Sequence, residues 1–258
     1  MSADYAGKRA AIGFQPFEAD GWRGWAADGG GAIRALTRPE EGSPLQAAGR
    51  GAVYRHPLGD SGEDEALVRI CRRGGLTGKA LGQAYIIGNR PMRELRVHTY
   101  AYRAGLPSAA PIGIAWRRRG PFLFGRFATK LIAGAVSWRD WLRAGNGARA
   151  AEVGEVIRAF HDRGVYHADL NVHNVILDGQ RVYLIDFDKA RVRLPLSRGR
   201  RAANLLRLRR SMEKEGFDPE VFDTLCRGYG PLILPGWTEL AYRFRAGWSR
   251  MTAGGRHD

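Results

Sequence analysis

Between Tyr166 and Asp188 the chain reads YHADLNVHNVILDGQRVYLIDFD, a stretch whose polar residues fall at spacings that chemistry can use. Asp169 stands five residues before Asn174, and a second apolar segment runs into Asp186, Phe187 and Asp188. Phosphoryl transfer needs a carboxylate to orient the attacking hydroxyl, and oxygen ligands to hold magnesium on the phosphates. A hairpin that delivers Asp169, Asn174 and Asp186 to one point supplies both. Asp169 is then a candidate catalytic carboxylate, and Asn174 and Asp186 are candidate metal ligands. His167 is expected to brace the loop through hydrogen bonds rather than to act as the base.

Such a hairpin needs two short strands, and Val175-Ile176-Leu177 and Val182-Tyr183-Leu184-Ile185 are apolar enough to form them. The surrounding pattern is helical. Ser137 suits the N-cap of a short helix through Ala144. From Ala148 to Arg163 apolar residues recur at Val153, Val156, Ile157 and Phe160, and Gly164 ends the helix. Further helices are expected near 201–215, over 219–229 with Pro219 in the first turn after Asp218, and near 237–248. Upstream the pattern changes to strands, introduced by Gly49 to Tyr54 and continuing over 66–70, 112–116 and 121–132. One helix interrupts them over 90–105, with Leu95, His98, Thr99 and Tyr102 on one stripe. The small residues from Leu131 to Val136 read as a hinge. The expected fold class is α+β and bilobal. Residues 1–45 form an N-terminal extension packed on the first lobe, 46–132 a β-rich N-lobe, and 133–258 an α-rich C-lobe that carries the catalytic loop.

A chain of 258 residues, 44% of them apolar, is long enough for two such lobes with a real core. Its longest apolar run is cut by Arg126 and Lys130, short of the roughly 20 residues a spanning helix needs. The opening residues lack the pattern of a secretory signal. With Cys71 and Cys226 the only cysteines, a reducing cytoplasmic setting is expected. The net charge of +15 is concentrated: from Lys189 to Lys214 ten basic residues face one acid, Glu213. Such a field attracts polyanions, whether nucleic acid, an anionic leaflet or a phosphorylated substrate, and charge alone does not choose among them. No recognisable nucleic-acid motif accompanies it, so no nucleic-acid partner is expected.

The set His167, Asp169, Asn174 and Asp186, in register with its flanking strands, resembles the protein-kinase-like fold from about residue 46 onward. The departures matter as much as the matches. Ala168 stands where protein kinases carry an Arg, Asn171 where serine/threonine kinases carry a Lys, and Asp188 where the Asp-Phe-Gly motif has Gly. No Ala-Pro-Glu motif follows. These changes point away from a phospho-regulated protein kinase. HADLNVHN with LIDFD and RICRRGGLTGK together resemble the Kdo/lipopolysaccharide core kinase family, where Kdo is 3-deoxy-D-manno-octulosonic acid.

The resemblance implies ATP and Mg²⁺ as cofactors and an alcohol group as acceptor. It also implies a Kdo sugar, at its 4-hydroxyl, on Kdo-lipid A, and a peripheral location on the cytoplasmic face of the inner membrane. In the N-lobe it implies that Gly49 and Gly51 belong to a loop covering the nucleotide. Arg69 would stand in for the missing strand Lys, because Arg can also grip phosphate oxygens. Glu94 is the expected partner of Arg69. Arg72 and Arg73, and Arg207, Arg209 and Arg210, are expected to dock the substrate or an anionic membrane surface. Open alternatives are a kinase of another sugar or small molecule, such as core heptose or an aminoglycoside-like compound. A protein kinase, a pseudokinase or a basic binding module without activity ranks behind these.

Overall fold

The computed structural model describes residues 13–27, 29–45, 52–59, 64–71, 90–120, 122–145 and 149–231. Gly49, Gly51, Arg72, Arg73 and the helix expected near 237–248 lie outside the described residues. The chain divides into two compact units, Met1–Tyr102 with Ala109–Ala133, and Arg103–Ser108 with Gly134–Asp258. The division at 133/134 falls within the stretch read as a hinge.

The first unit is built on a seven-stranded antiparallel sheet. Its strands are β1 (Phe14–Ala19), β2 (Trp22–Ala27), β3 (Ser43–Leu45), β4 (Val53–Pro57), β5 (Glu65–Cys71), β6 (Pro111–Arg119) and β7 (Phe122–Lys130). They are ordered β1-β2-β6-β7-β5-β4-β3. Within the residues expected as an N-terminal extension, β1 and β2 are strands of the sheet itself, with Arg23 to Ala26 paired to Gly113 to Trp116. Trp22, Trp25 and Phe14 are buried there, which is why a Trp-rich opening segment cannot stay outside the core.

Both faces of this sheet are covered, and alternation along the strands separates two apolar cores. Trp22, Ala26, Val68, Ala115 and Ala128 meet Ala35 and Leu36 of helix α1 (Gly30–Thr37). Their neighbours Trp25, Cys71, Ile114 and Phe127 meet Met92 and Leu95 of helix α2 (Arg90–Arg103). Arg126, expected to do no more than interrupt an apolar run, is buried and donates to the Leu36 and Thr37 carbonyls at 2.9 and 2.6 Å. It thereby satisfies carbonyls that the C-terminus of α1 leaves without helical partners. On α2, Leu95, His98 and Thr99 are buried as expected, but Tyr102 is 47% exposed and lies off the stripe.

The second unit is mainly helical: α3 (Trp138–Arg143), α4 (Ala150–Asp162), α5 (Arg198–Lys214) and α6 (Pro219–Tyr229). Ser137 caps α3 by accepting from the Asp140 N–H, and Asp218 caps α6 by accepting from the Glu220 N–H. α4 and α6 cross at glycines. A Cβ on Gly154 would lie 2.1 Å from the Leu225 carbonyl oxygen, and one on Gly228 would lie 1.9 Å from that of Ala151. Only glycine permits that approach. Five short strands complete the unit: β8 (Val136–Ser137), β9 (Val165–Tyr166), β10 (Val175–Leu177), β11 (Val182–Leu184) and β12 (Arg191–Val192). They pair as β11-β10-β8 and β12-β9.

Candidate active site

The hairpin of β10 and β11 has the register Val175 to Leu184, Ile176 to Tyr183 and Leu177 to Val182. Its turn is held by Asp178, whose carboxylate accepts from the backbone of Gln180 and Arg181 and from the Tyr183 hydroxyl at 2.7 Å. One step beyond the last pair, the Ile185 N–H donates to the Asn174 carbonyl at 3.0 Å. Asp186 therefore leaves the second strand beside the start of the first. Its backbone is left-handed there (φ 62°), a conformation uncommon outside glycine and one that turns the chain sharply. Phe187 buries its ring against Phe160 and His167, with centroids 5.7 and 5.4 Å apart, which anchors the turn.

Asp169 lies on the loop before β10, and two amides fix its backbone. Asn174 Nδ2 donates to the Asp169 carbonyl at 2.9 Å, and Asn171 Nδ2 donates to the same oxygen at 2.8 Å. Asn171 Oδ1 in turn accepts from the His173 N–H at 2.9 Å. Asn171, where serine/threonine kinases carry Lys, thus braces the loop. His167 is buried, and its Nε2–H donates to the Ile185 carbonyl at 2.8 Å, which ties the loop to the strand that ends in Asp186. Burial holds the His167 ring below the usual imidazole range, although the bond to the Ile185 carbonyl acts in the other direction.

The Asp169 carboxylate meets two cations. Lys189 Nζ lies 2.9 Å from Oδ2, and Arg207 Nη2 of α5 donates to Oδ1. Burial alone would raise the carboxyl pKa, but the hydrogen bonds from Lys189 and Arg207 outweigh it and hold the group below its ordinary value. Asn174 spends its amide nitrogen on the loop, which leaves its oxygen as an acceptor. An amide oxygen and a carboxylate are ligand types that Mg²⁺ accepts, so Asn174 and Asp186 are the residues that could hold one here.

Sequence reasoning missed the polar group that holds this loop from below. Asn204, fully buried on α5, donates to the His167 carbonyl at 2.7 Å and accepts from the His167 N–H at 3.0 Å. It also faces His161 Nε2 at 3.1 Å, and His161 Nδ1 faces the Tyr229 hydroxyl at 2.9 Å. The available signal was an Asn flanked by Ala and Leu in a helix whose other polar residues, apart from Ser211 and Glu213, are basic. Lys189 was read only as the first residue of a basic run.

The arginines expected to act together as a docking surface separate. Arg207 and Arg210 line a cleft of about 320 Å³ beside Asp169, with Asn171, His173, Ser211, Lys214 and Glu215. Arg209 points elsewhere, 3.1 Å from Glu213 and over the Phe222 ring. The reason is helical geometry, since adjacent positions on a helix differ by about 100° around its axis.

In the first unit, Arg69 and Cys71 alternate with Val68, so Arg69 faces the α2 side of the sheet. There it donates to Glu94, whose side chain is only 2% exposed.

The fold is kinase-like. Two solved structures share the fold. One is described as WaaP in complex with acyl carrier protein (TM-score 0.51, 18% identity, 86% of this chain and 92% of that one). The other is a choline/ethanolamine kinase family protein from Mesorhizobium loti (TM-score 0.50, 17% identity, 77% and 74%). Residues 51–229 match the model of the Lipopolysaccharide kinase (Kdo/WaaP) family, and the chain belongs to that family. A 3-deoxy-D-manno-octulosonic acid kinase of Xylella fastidiosa is 30% identical over 203 residues, 74% of this chain and 80% of the relative. One from Stenotrophomonas maltophilia is 35% identical over 179 residues, 66% and 70%.

Proposed function

We propose that the protein transfers the γ-phosphoryl group of ATP to the 4-hydroxyl of the Kdo residue of Kdo-lipid A. The reaction would take place at the cytoplasmic face of the inner membrane, during lipopolysaccharide core synthesis. The observation that carries this reading is the cluster of Asp169, Asn174 and Asp186 in a chain of the Kdo/WaaP kinase family. Asp169 accepts the hydrogen bond of the attacking sugar hydroxyl and takes its proton. Asn174 and Asp186 would hold Mg²⁺, and the ion would supply charge neutralisation on the nucleotide phosphates. In the first unit, Arg69, fixed by Glu94, is a group whose chemistry suits phosphate oxygens. Catalysis then rests on positioning and on preorganised charge.

Incubation of the purified protein with ATP, Mg²⁺ and either Kdo-lipid A or a heptosylated core, followed by mass fragmentation, tests the assignment. One added phosphoryl group on the Kdo 4-position is expected. Phosphate found on heptose, or on another Kdo hydroxyl, would contradict it.

A further inference from the structure

The cleft beside Asp169 has a cationic wall that phosphoryl transfer to a sugar hydroxyl does not by itself require. Arg207, Arg210 and Lys214 follow at i, i+3 and i+7 along α5 and therefore share one face of the helix. All three line the cleft. Arg207 is spent on Asp169. The Arg210 Nε makes one long contact, 3.4 Å, to the Leu206 carbonyl. Lys214 is exposed at the far end of the row.

The acid in the same wall does not cancel this charge. Glu215 is held by Arg139 and Arg143 at 2.8 and 2.9 Å, with His173 at 3.3 Å, and the two arginines hold its pKa at about 2. The backbone around the cleft is also tied, with the Val172 N–H donating to Ser211 Oγ at 3.2 Å. At about 320 Å³ the space is at the small end of ligand pockets, which run from about 300 to 1,000 Å³. A space of that size can take one sugar ring.

We infer that this cleft is the acceptor site, and that Arg210 and Lys214 bind the carboxylate of the sugar acid whose hydroxyl faces Asp169. The inference rests on the proposed Kdo acceptor and adds the group by which the acceptor is recognised. A charged anchor one ring away from the reacting hydroxyl fixes the ring's orientation. It also rejects neutral sugars, which would leave the two cations without a partner.

The test uses a soluble Kdo methyl glycoside and its neutral methyl ester, with Kdo-lipid A as the reference acceptor. The wild-type protein is expected to prefer acid over ester in kcat/KM by about 10- to 100-fold, the range for a charge-assisted hydrogen bond. In the double variant Arg210→Gln/Lys214→Gln that preference falls to within about threefold, chiefly through the KM of the acid. Lys214→Arg in place of Lys214→Gln restores part of it. Turnover of the ester by the double variant shows that the protein is folded.

Equal use of acid and ester by the wild type, or a preference that survives in the double variant, overturns the inference while leaving the Kdo reading intact. Sensitivity of Kdo-lipid A alone to the two substitutions assigns the cations to the lipid phosphates and also overturns it. No turnover of any Kdo acceptor removes the reading itself, and the inference with it.

Discussion

Asp169 must stay ionised to accept a proton, in surroundings that partly strip it of water. Lys189 and Arg207 provide for this, and their hydrogen bonds hold the carboxyl below its ordinary pKa despite burial. Activity that depends on the carboxylate is lost as pH falls through that lowered value. Replacing Lys189 by Met removes one of the two cations. The acid limb of the kcat/KM profile is then expected to move upward in pH, and an unmoved limb would show that Lys189 does not set the ionisation of Asp169. That Asp169, Asn174 and Asp186 lie on one loop and the hairpin after it was legible, because the contacts that bring them together are local in sequence. Lys189, Arg207 and Asn204 were not. Arg207 and Asn204 reach the loop from α5, 38 and 37 residues away from their partners, and no local pattern encodes that contact. Their residue types were visible, but their partners were not.

At the scale of elements, the loop rests on α4, α5 and α6, and the joint among these helices is polar as well as packed. His161 faces both Tyr229 and Asn204, and burial lowers its pKa to about 4, as it does for His98 in the first unit. The folded chain therefore holds both rings neutral, while the unfolded chain protonates them near pH 6.5. Their stabilising contribution is complete above about pH 6.5 and is lost as pH falls toward 4, by about 1.4 kcal/mol per pH unit for each ring. Denaturation midpoints measured across that window should fall steadily, and a flat profile would contradict the buried neutral assignment. Glu215, held by Arg139 and Arg143, adds its own loss as pH falls from about 4.5 toward 2, which begins at the acid end of that window.

The crossing of α4 and α6 supplies a second element-scale prediction. In an exposed helix Gly→Ala stabilises by about 1 kcal/mol. Gly154→Ala should instead destabilise by about 1–3 kcal/mol, because the new methyl meets the Leu225 carbonyl. Denaturant titration distinguishes the two signs. Helix and strand positions here were readable from caps and periodicity, as at Ser137, Gly164 and Pro219. The sheet order was not, since β1 and β2 join it beside β6 through a long-range pairing.

At the scale of the whole molecule, the charge of +15 is shared between tasks that composition could not separate. Arg207 serves Asp169, Arg126 serves the end of α1, and Arg139 and Arg143 serve Glu215. Lys189, Arg69, Arg38 and Arg201 are likewise paired with acids, so an anionic surface would have to be met by cations outside these pairs. Among the described residues no helix is long and apolar enough to cross a membrane. Cosedimentation with vesicles rich in anionic lipid is expected at low salt and should weaken as salt shortens the Debye length from about 30 Å at 0.01 M to 8 Å at 0.15 M. Binding indifferent to salt, or equal on neutral vesicles, would remove the electrostatic account. The central claim is that Asp169 serves phosphoryl transfer to a Kdo hydroxyl, and single-turnover assay of Asp169→Asn with ATP, Mg²⁺ and Kdo-lipid A tests it most directly. The account predicts phosphorylated product from the wild type and a rate about 10²- to 10⁴-fold lower from a variant that still folds. Product from Asp169→Asn at near the wild-type rate would contradict it.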